Sequence, residues 1–230
     1  MEEAYPSWGK TPRLETLSMT ITEKIDGTNA LIEVLQVGES AADTVGEGAV
    51  MVGEYWIRAG SRNHWLTIAQ DNYGFCSFVH AHAASLVQLG RGRHYGEWWG
   101  RGIGRNYAQT ERHFSLFNTF RPAATLPSCV SQVPCLYKGP VDMCAVDEFI
   151  YQLEQHGSIA APGFKPAEGV IIWFGKEKYK CTFEGPKYAH VERTSPYQPS
   201  RRERLRHYPD LDRRGPCRSV RVLVSAPRQE

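Results

Sequence analysis

Lys24, Asp26 and Gly27, within the run Glu23-Lys24-Ile25-Asp26-Gly27-Thr28-Asn29, are the residues whose types and spacing could do covalent chemistry. A lysine amine attacks phosphorus in its neutral form, and burial beside other cations favours that form. Phosphoryl transfer leaves a protein mainly positioning and charge neutralisation to supply, so it calls for bases around the phosphates and acids for a divalent metal. Both recur down the chain, in Gly60-Ser61-Arg62-Asn63, Tyr95-Gly96-Glu97, Glu168-Gly169-Val170 and Lys178-Tyr179-Lys180. Lys178 and Lys180 are two apart on a predicted strand and so share a face. The Arg62 guanidinium offers five donors to a sugar or phosphate, with Arg58 as its rival. A hard ion such as Mg²⁺ that keeps its waters suits these acids better than zinc.

In this order, and with Phe114-Ser115-Leu116-Phe117 among them, the clusters resemble the covalent nucleotidyltransferases, the superfamily of RNA ligases, DNA ligases and mRNA capping enzymes. The run Glu23–Asn29, and that from Gly96-Glu97 through Gly102-Ile103 to Phe117, look like signatures of the RNA ligase 2 family. The resemblance spans residues 20 to 187. It implies ATP-dependent sealing: Lys24 displaces pyrophosphate to give a lysyl-AMP, AMP passes to a 5′-phosphate, and a 3′-hydroxyl closes the nick. It also implies roles. Lys24, Asp26, Lys178 and Lys180 would be catalytic. Glu23, Gly27, Asn29, Arg62, Glu97, Phe117, Glu168, Lys178 and Lys180 would bind the nucleotide, with Glu97 on the ribose and Phe117 stacked on adenine. Glu168 and Asp26 would hold Mg²⁺ or Mn²⁺, through water. Asn29 stands where ATP-dependent DNA ligases usually carry arginine, which favours RNA. The best-known family members have histidine where this chain has Asp26, and carry a further domain after the lysine pair.

Alternatives stay open on the sequence: a small ATP-dependent DNA ligase, a guanylyltransferase that labels with GTP, or a non-catalytic nucleic-acid-binding relative. The last would be expected to have lost one of Lys24, Glu97, Glu168, Lys178 or Lys180, and all five are present.

The elements that must position these residues follow from periodicity. Residues 19–25 and 29–37 alternate apolar and polar around Asp26-Gly27, which predicts two strands with Lys24 at the turn. Residues 75–89, closed by Gly90, and 146–153, ending at Gly157, carry helical spacing. Residues 112–120, 169–174 and 178–183 read as strands, and 122–140, with four prolines, as a loop-rich connection. His80 and His82 diverge on a helix and read as structural. The expected fold is α+β: a two-sheet, mainly antiparallel nucleotidyltransferase domain with peripheral helices, of the ATP-grasp-like ligase adenylation type, the nucleotide lying between the sheets.

The 230 residues, 41% hydrophobic, allow one sizeable core. The expected organisation is an adenylation domain over 1–190 and an arginine-rich tail over 191–230 with no OB domain. The net charge of +2 hides an asymmetry, because residues 193–230 hold 10 Arg and no Lys. Such a tail neutralises phosphates without reading bases, so nucleic acid is the expected partner, with a protein partner standing in for the missing domain. The acidic start and short apolar runs predict a soluble intracellular chain, cytoplasmic or nuclear, with no membrane partner. Six cysteines lack zinc-site spacing and read as free thiols.

Overall fold

The computed structural model describes residues 11, 17–38, 45–175 and 177–183; the arginine-rich segment 191–230 lies outside them, as do Lys176 and Lys187. The described residues of Met1–Thr182 form one compact unit, and it carries everything below.

Strand β1 (Ser18–Lys24) buries Met19, Ile21 and Glu23 on one face and turns Thr20, Thr22 and Lys24 to the other. It lies between β9 (Gly169–Phe174) and β8 (Cys135–Pro140), and β10 (Glu177–Thr182) completes a four-stranded antiparallel sheet in the order β10-β9-β1-β8. The second sheet is built from β2 (Thr28–Gln36), β3 (Ala49–Val52), β4 (Tyr55–Gly60), β5 (Gly92–Gly100), β6 (Arg112–Leu116) and β7 (Val130–Gln132). Its order is β3-β4-β2-β5-β6-β7, antiparallel except for the parallel β6–β7 pair. The expected α+β architecture of two mainly antiparallel sheets is the one observed.

Each sheet covers one face with helix. Ala30, Ile32, Val34, Ile57, Ala59, Trp98, Phe114 and Leu116 form one core with Phe75, Cys76 and Val79 of α1 (Phe75–Ala81) and Ala83 and Leu86 of α2 (Ala83–Leu86). The single helix predicted over 75–89 is thus two short helices and a 3₁₀ turn, broken at His82, whose ψ of 11° interrupts the helical ladder. His80 bonds the Gly48 carbonyl at 2.8 Å and His82 packs edge-on to Phe78, so both are structural. Helix α3 (Met143–His156) packs on β9 and buries Val146, Phe149, Ile150 and Leu153. Asp142 caps it by accepting from the Cys144 backbone N–H at 2.9 Å, and Gly157 ends it at φ 87°.

Two further expectations change. The predicted strand 112–120 stops at Leu116, and the loop expected over 122–140 contains β7 and β8. Pro140 is tolerated because β8 is an edge strand, where a missing N–H costs no ladder bond. Among the described residues no helix is long and apolar enough to cross a membrane.

Candidate active site

The chain passes from one sheet to the other at residues 25–27, so Lys24 ends β1 on the first and Thr28 begins β2 on the second. Strand register fixes what surrounds Lys24. Residues paired across an antiparallel ladder point the same way, and successive side chains alternate. Lys24 pairs with Gly169, Thr22 with Ile171 and Thr20 with Trp173. Across β9, Thr182, Lys180 and Lys178 pair with Gly169, Ile171 and Trp173 in turn. Lys24, Lys180 and Lys178 therefore stand on one face of the sheet, in three successive rows.

Lys24 Nζ lies 2.6 Å from Glu168 Oε1. The other carboxylate oxygen of Glu168 is buried and has no hydrogen-bond partner. Glu97 lies across the turn on β5. Its Oε1 accepts the Gly27 backbone N–H at 3.0 Å and its Oε2 accepts from Asn29 Nδ2 at 3.1 Å. Asn29 in turn accepts from Arg62 Nε at 3.0 Å through its own Oδ1. The rival Arg58 is committed elsewhere: it pairs with Glu33 at 2.6 Å and stacks on Trp65, 3.6 Å from the ring centre.

Gly27 is required by packing. A Cβ there would sit 2.5 Å from the Trp98 carbonyl oxygen and 2.8 Å from the Trp99 Cβ, with no flexible group to give way. Asp26 is held by residues that sequence reasoning missed. Its backbone N–H donates to the Tyr107 hydroxyl at 2.8 Å, and its Oδ2 accepts the Arg105 backbone N–H at 3.1 Å with Arg105 Nε at 3.5 Å. The loop that delivers Arg105 and Tyr107 is left-handed at Gly102, Gly104, Asn106, Tyr107 and Ala108. A Cβ at Gly104 would meet the Asp26 carbonyl oxygen at 2.7 Å. The signal was present in the repeated glycines of Gly100-Arg101-Gly102-Ile103-Gly104, which crowd a turn where backbone must approach backbone.

Glu23 points away from Lys24, through the sheet. It is 1% exposed, and its carboxylate accepts from the Ser158 hydroxyl at 2.5 Å and from the Ile159 and Ala160 backbone N–H groups at 2.9 and 2.8 Å. Burial pushes its carboxyl above the ordinary 4.5 in spite of those three donors. As placed, its side chain anchors a loop and does not face the groove. Phe117 is half-buried against the cluster of Ile25, Trp99, Tyr107, Val133 and Ala161.

A cavity of about 780 Å³ opens between the sheets. Asn29, Arg62, Phe117 and Lys178 line it, with Thr20, Tyr95 and Trp173. Lys24, Glu97 and Glu168 lie off its wall, where their polar atoms bond one another and the turn. Lys178 Nζ lies 5.5 Å from the centre of the Trp173 ring, and both Lys178 and Lys180 are exposed. The site thus gathers an ion-paired lysine, two further lysines on its face, an arginine, the buried Glu97 and the half-buried Glu168 at one end of a concave groove.

Burial also pushes the Glu97 carboxyl up from 4.5 to about 7; Glu168 adds to the rise, and Asn29, Lys24 and the Gly27 N–H oppose it. The folded protein holds this proton to higher pH than the unfolded chain, so the associated stability is fully present below pH 4.5 and is lost as pH rises to about 7. That loss is about 3 kcal/mol. Glu97→Gln is expected to flatten the stability profile across this window in urea denaturation; an unchanged slope would assign it to another group.

No family model matches this chain, and no curated protein does. Several solved structures of the Naegleria gruberi RNA ligase are similar to it. A mutant with AMP and Mn is 16% identical at a TM-score of 0.46. A mutant with ATP and Mn is 15% identical at 0.46, and an apo mutant 16% identical at 0.47. Each match covers 74% of this chain and 50% of the other, so this chain spans half the length of the structures it matches.

Proposed function

We infer that this chain is an ATP-dependent polynucleotide ligase that carries AMP on Lys24 and joins RNA-ended strands, at nicks in duplexes. The observation that supports this reading best is the sheet face that Lys24 shares with Lys180 and Lys178, with Lys24 held at 2.6 Å by Glu168.

The chemistry follows from what each side chain can do. The Lys24 amine, freed of its ammonium proton, attacks the α-phosphorus of ATP. A P–N bond forms, the P–O bond to the β-phosphate breaks, pyrophosphate leaves with the bonding pair, and nitrogen sheds a further proton. Lys178, Lys180 and Arg62 neutralise charge on the phosphates, the role that positioned cations play in such transfers. Glu97 serves the ribose and Phe117 the base. AMP then moves to a 5′-phosphate oxygen as the P–N bond breaks. A 3′-hydroxyl oxygen finally attacks the strand's 5′-phosphorus, joining the strands and releasing AMP.

The partnerless buried oxygen of Glu168 suits a divalent ion, and among the described residues no three His, Cys, Asp or Glu side chains converge on a closed cage. Mg²⁺ or Mn²⁺ that keeps most of its waters fits such a site, and when bound would add positive charge beside the α-phosphate. Asp26, whose Oδ2 is engaged by Arg105, is assigned chiefly to holding the turn.

Incubation with α-labelled ATP or GTP and Mg²⁺, followed by denaturing electrophoresis, tests the reading. Label from ATP that is absent in Lys24→Ala is expected. Label from GTP alone would make the chain a guanylyltransferase, and no label from either would leave a nucleic-acid-binding protein. Sealing of all-DNA nicks in preference to RNA-ended ones would make it a DNA ligase.

A further inference from the structure

The cavity between the sheets runs past the residues assigned to ATP, and its outer part has a composition of its own. Beyond Arg62 and Lys178, which are already assigned to the ATP phosphates, Arg93 and Arg121 line it, and among the described residues no aspartate or glutamate does. Four aromatic side chains share the wall: Tyr95, Phe117, Phe120 and Trp173. Strand register extends the pattern, since Lys178, Trp173, Thr20 and Lys138 form one row across the four-stranded sheet and so face the groove together. On the opposite sheet Tyr95 sits beside Phe117, whose backbone N–H donates to the Tyr95 carbonyl at 3.0 Å. Lys138 Nζ lies 3.9 Å from the centre of the Phe120 ring, which ties this row to the aromatic wall.

The buried Glu33 takes both Arg58 and Arg93, so that trio contributes a net single positive charge. His94 is held below its ordinary value, chiefly by burial. Arg62, Arg121, Lys138 and Lys178 add to the charge. Tyr95 is 53% exposed and Phe120 is 68% exposed, an arrangement that costs hydration unless something flat covers the rings.

We propose that this outer groove binds unpaired nucleotides of a polynucleotide strand, with bases stacked on Tyr95 and Phe120 and phosphates against Arg93, Arg121 and Lys138. It rests on the ligase reading for its purpose, to hold a strand end that has frayed from its complement at a nick beside the AMP on Lys24, and on charge and ring geometry for the binding itself. A cationic track interleaved with exposed aromatic faces is what a single strand requires, because every base offers a face to stack. A duplex has its bases already stacked on one another, so it gains from the cations only. The mouth row at Thr20 stands four residues from Lys24 along β1, roughly 13 Å, which leaves the bottom of the groove to the nucleotide.

The test is fluorescence anisotropy of the full chain at one fixed salt concentration, with a 5′-phosphorylated single-stranded RNA 12-mer and the blunt duplex of the same sequence. Wild type is expected to bind the single strand more tightly. Tyr95→Ala and Phe120→Ala are each expected to weaken single-strand binding about tenfold, with duplex binding, melting temperature and label from ATP within twofold of wild type. Both rings are exposed, so neither change removes core packing. Equal or tighter binding of the duplex, or single-strand binding unchanged in both variants, overturns the proposal. Loss of label in step with loss of binding also overturns it, by assigning the rings to the ATP pocket. If wild type takes no label while the variants still lose single-strand binding, the groove stands and the ligase reading falls.

Discussion

Lys24→Arg is expected to fold as wild type does, to keep an ion pair with Glu168, and to carry no AMP. The guanidinium stays charged at any pH the protein tolerates and spreads its lone pair over three nitrogens, so it replaces the charge of lysine without its nucleophile. The loss of acid-labile label should be on the order of 10³-fold or more, the scale seen when a covalent nucleophile is removed. Lys24→Ala removes both functions and leaves the half-buried Glu168 carboxylate without its 2.6 Å partner. The two variants should therefore agree in labelling and differ in melting temperature, with arginine the closer to wild type. Residual label on Lys24→Arg would sink the assignment, and would point to Lys178 or Lys180, which face the same side.

The second large effect concerns stability. Glu23→Ala strips three donors, the Ser158 hydroxyl and the Ile159 and Ala160 N–H groups, of their common acceptor in a buried place. Unpaired buried polar groups and the space left behind together cost about 2–4 kcal/mol. Glu23→Gln should behave differently. Its carbonyl oxygen can accept both backbone N–H groups while its amide donates to Ser158 Oγ, so the backbone donors stay satisfied and only the Ser158 hydroxyl proton, which now donates to Glu23, must find another acceptor. The wild-type carboxyl sits above its ordinary 4.5 through burial, so the stability tied to it is complete below pH 4.5 and declines as pH rises. Glutamine has no proton to lose. Urea denaturation at pH 5 and pH 8 should place Glu23→Ala well below wild type at both, and Glu23→Gln near or above it at pH 8. A glutamine variant as unstable as alanine would mean that the anion itself is what the 158–161 loop needs.

The sequence was most legible where one face is buried and the other polar. Strands β1 and β2 and helix α3 carry a period that betrays them, the turn at Asp26-Gly27 lies between the two strands, and β9 is legible instead as an unbroken apolar run. It was least legible where pairing is non-local or glycine dilutes the pattern. Strand β5 reads Gly-Arg-His-Tyr-Gly-Glu-Trp-Trp-Gly, and its place beside β2 is fixed by partners 58 to 70 residues away. The three-residue strand β7 exists through its parallel pairing with β6. Within the site, charged residues announced themselves by type. Arg105 and Tyr107 did not, because their work is done from a loop whose shape depends on Asp26 being there to meet it. Glu23 shows the converse: the resemblance implied a nucleotide contact, and alternation along β1 turns its side chain into the protein.

The chain passes between the sheets at residues 25–27 and again between β7 and β8, where Glu23 N–H bonds the Pro134 carbonyl at 2.9 Å, so both crossings would lie at the fulcrum of any rocking between the layers. Any rocking of one layer against the other displaces points in proportion to their distance from that fulcrum. Lys24 and Asn29 flank it and barely separate, while Lys178 on one layer and Tyr95 on the other ride the ends of the lever arms. A rocking of that kind would change the width of the cavity while leaving the spacing among Lys24, Asn29 and Glu97 unchanged.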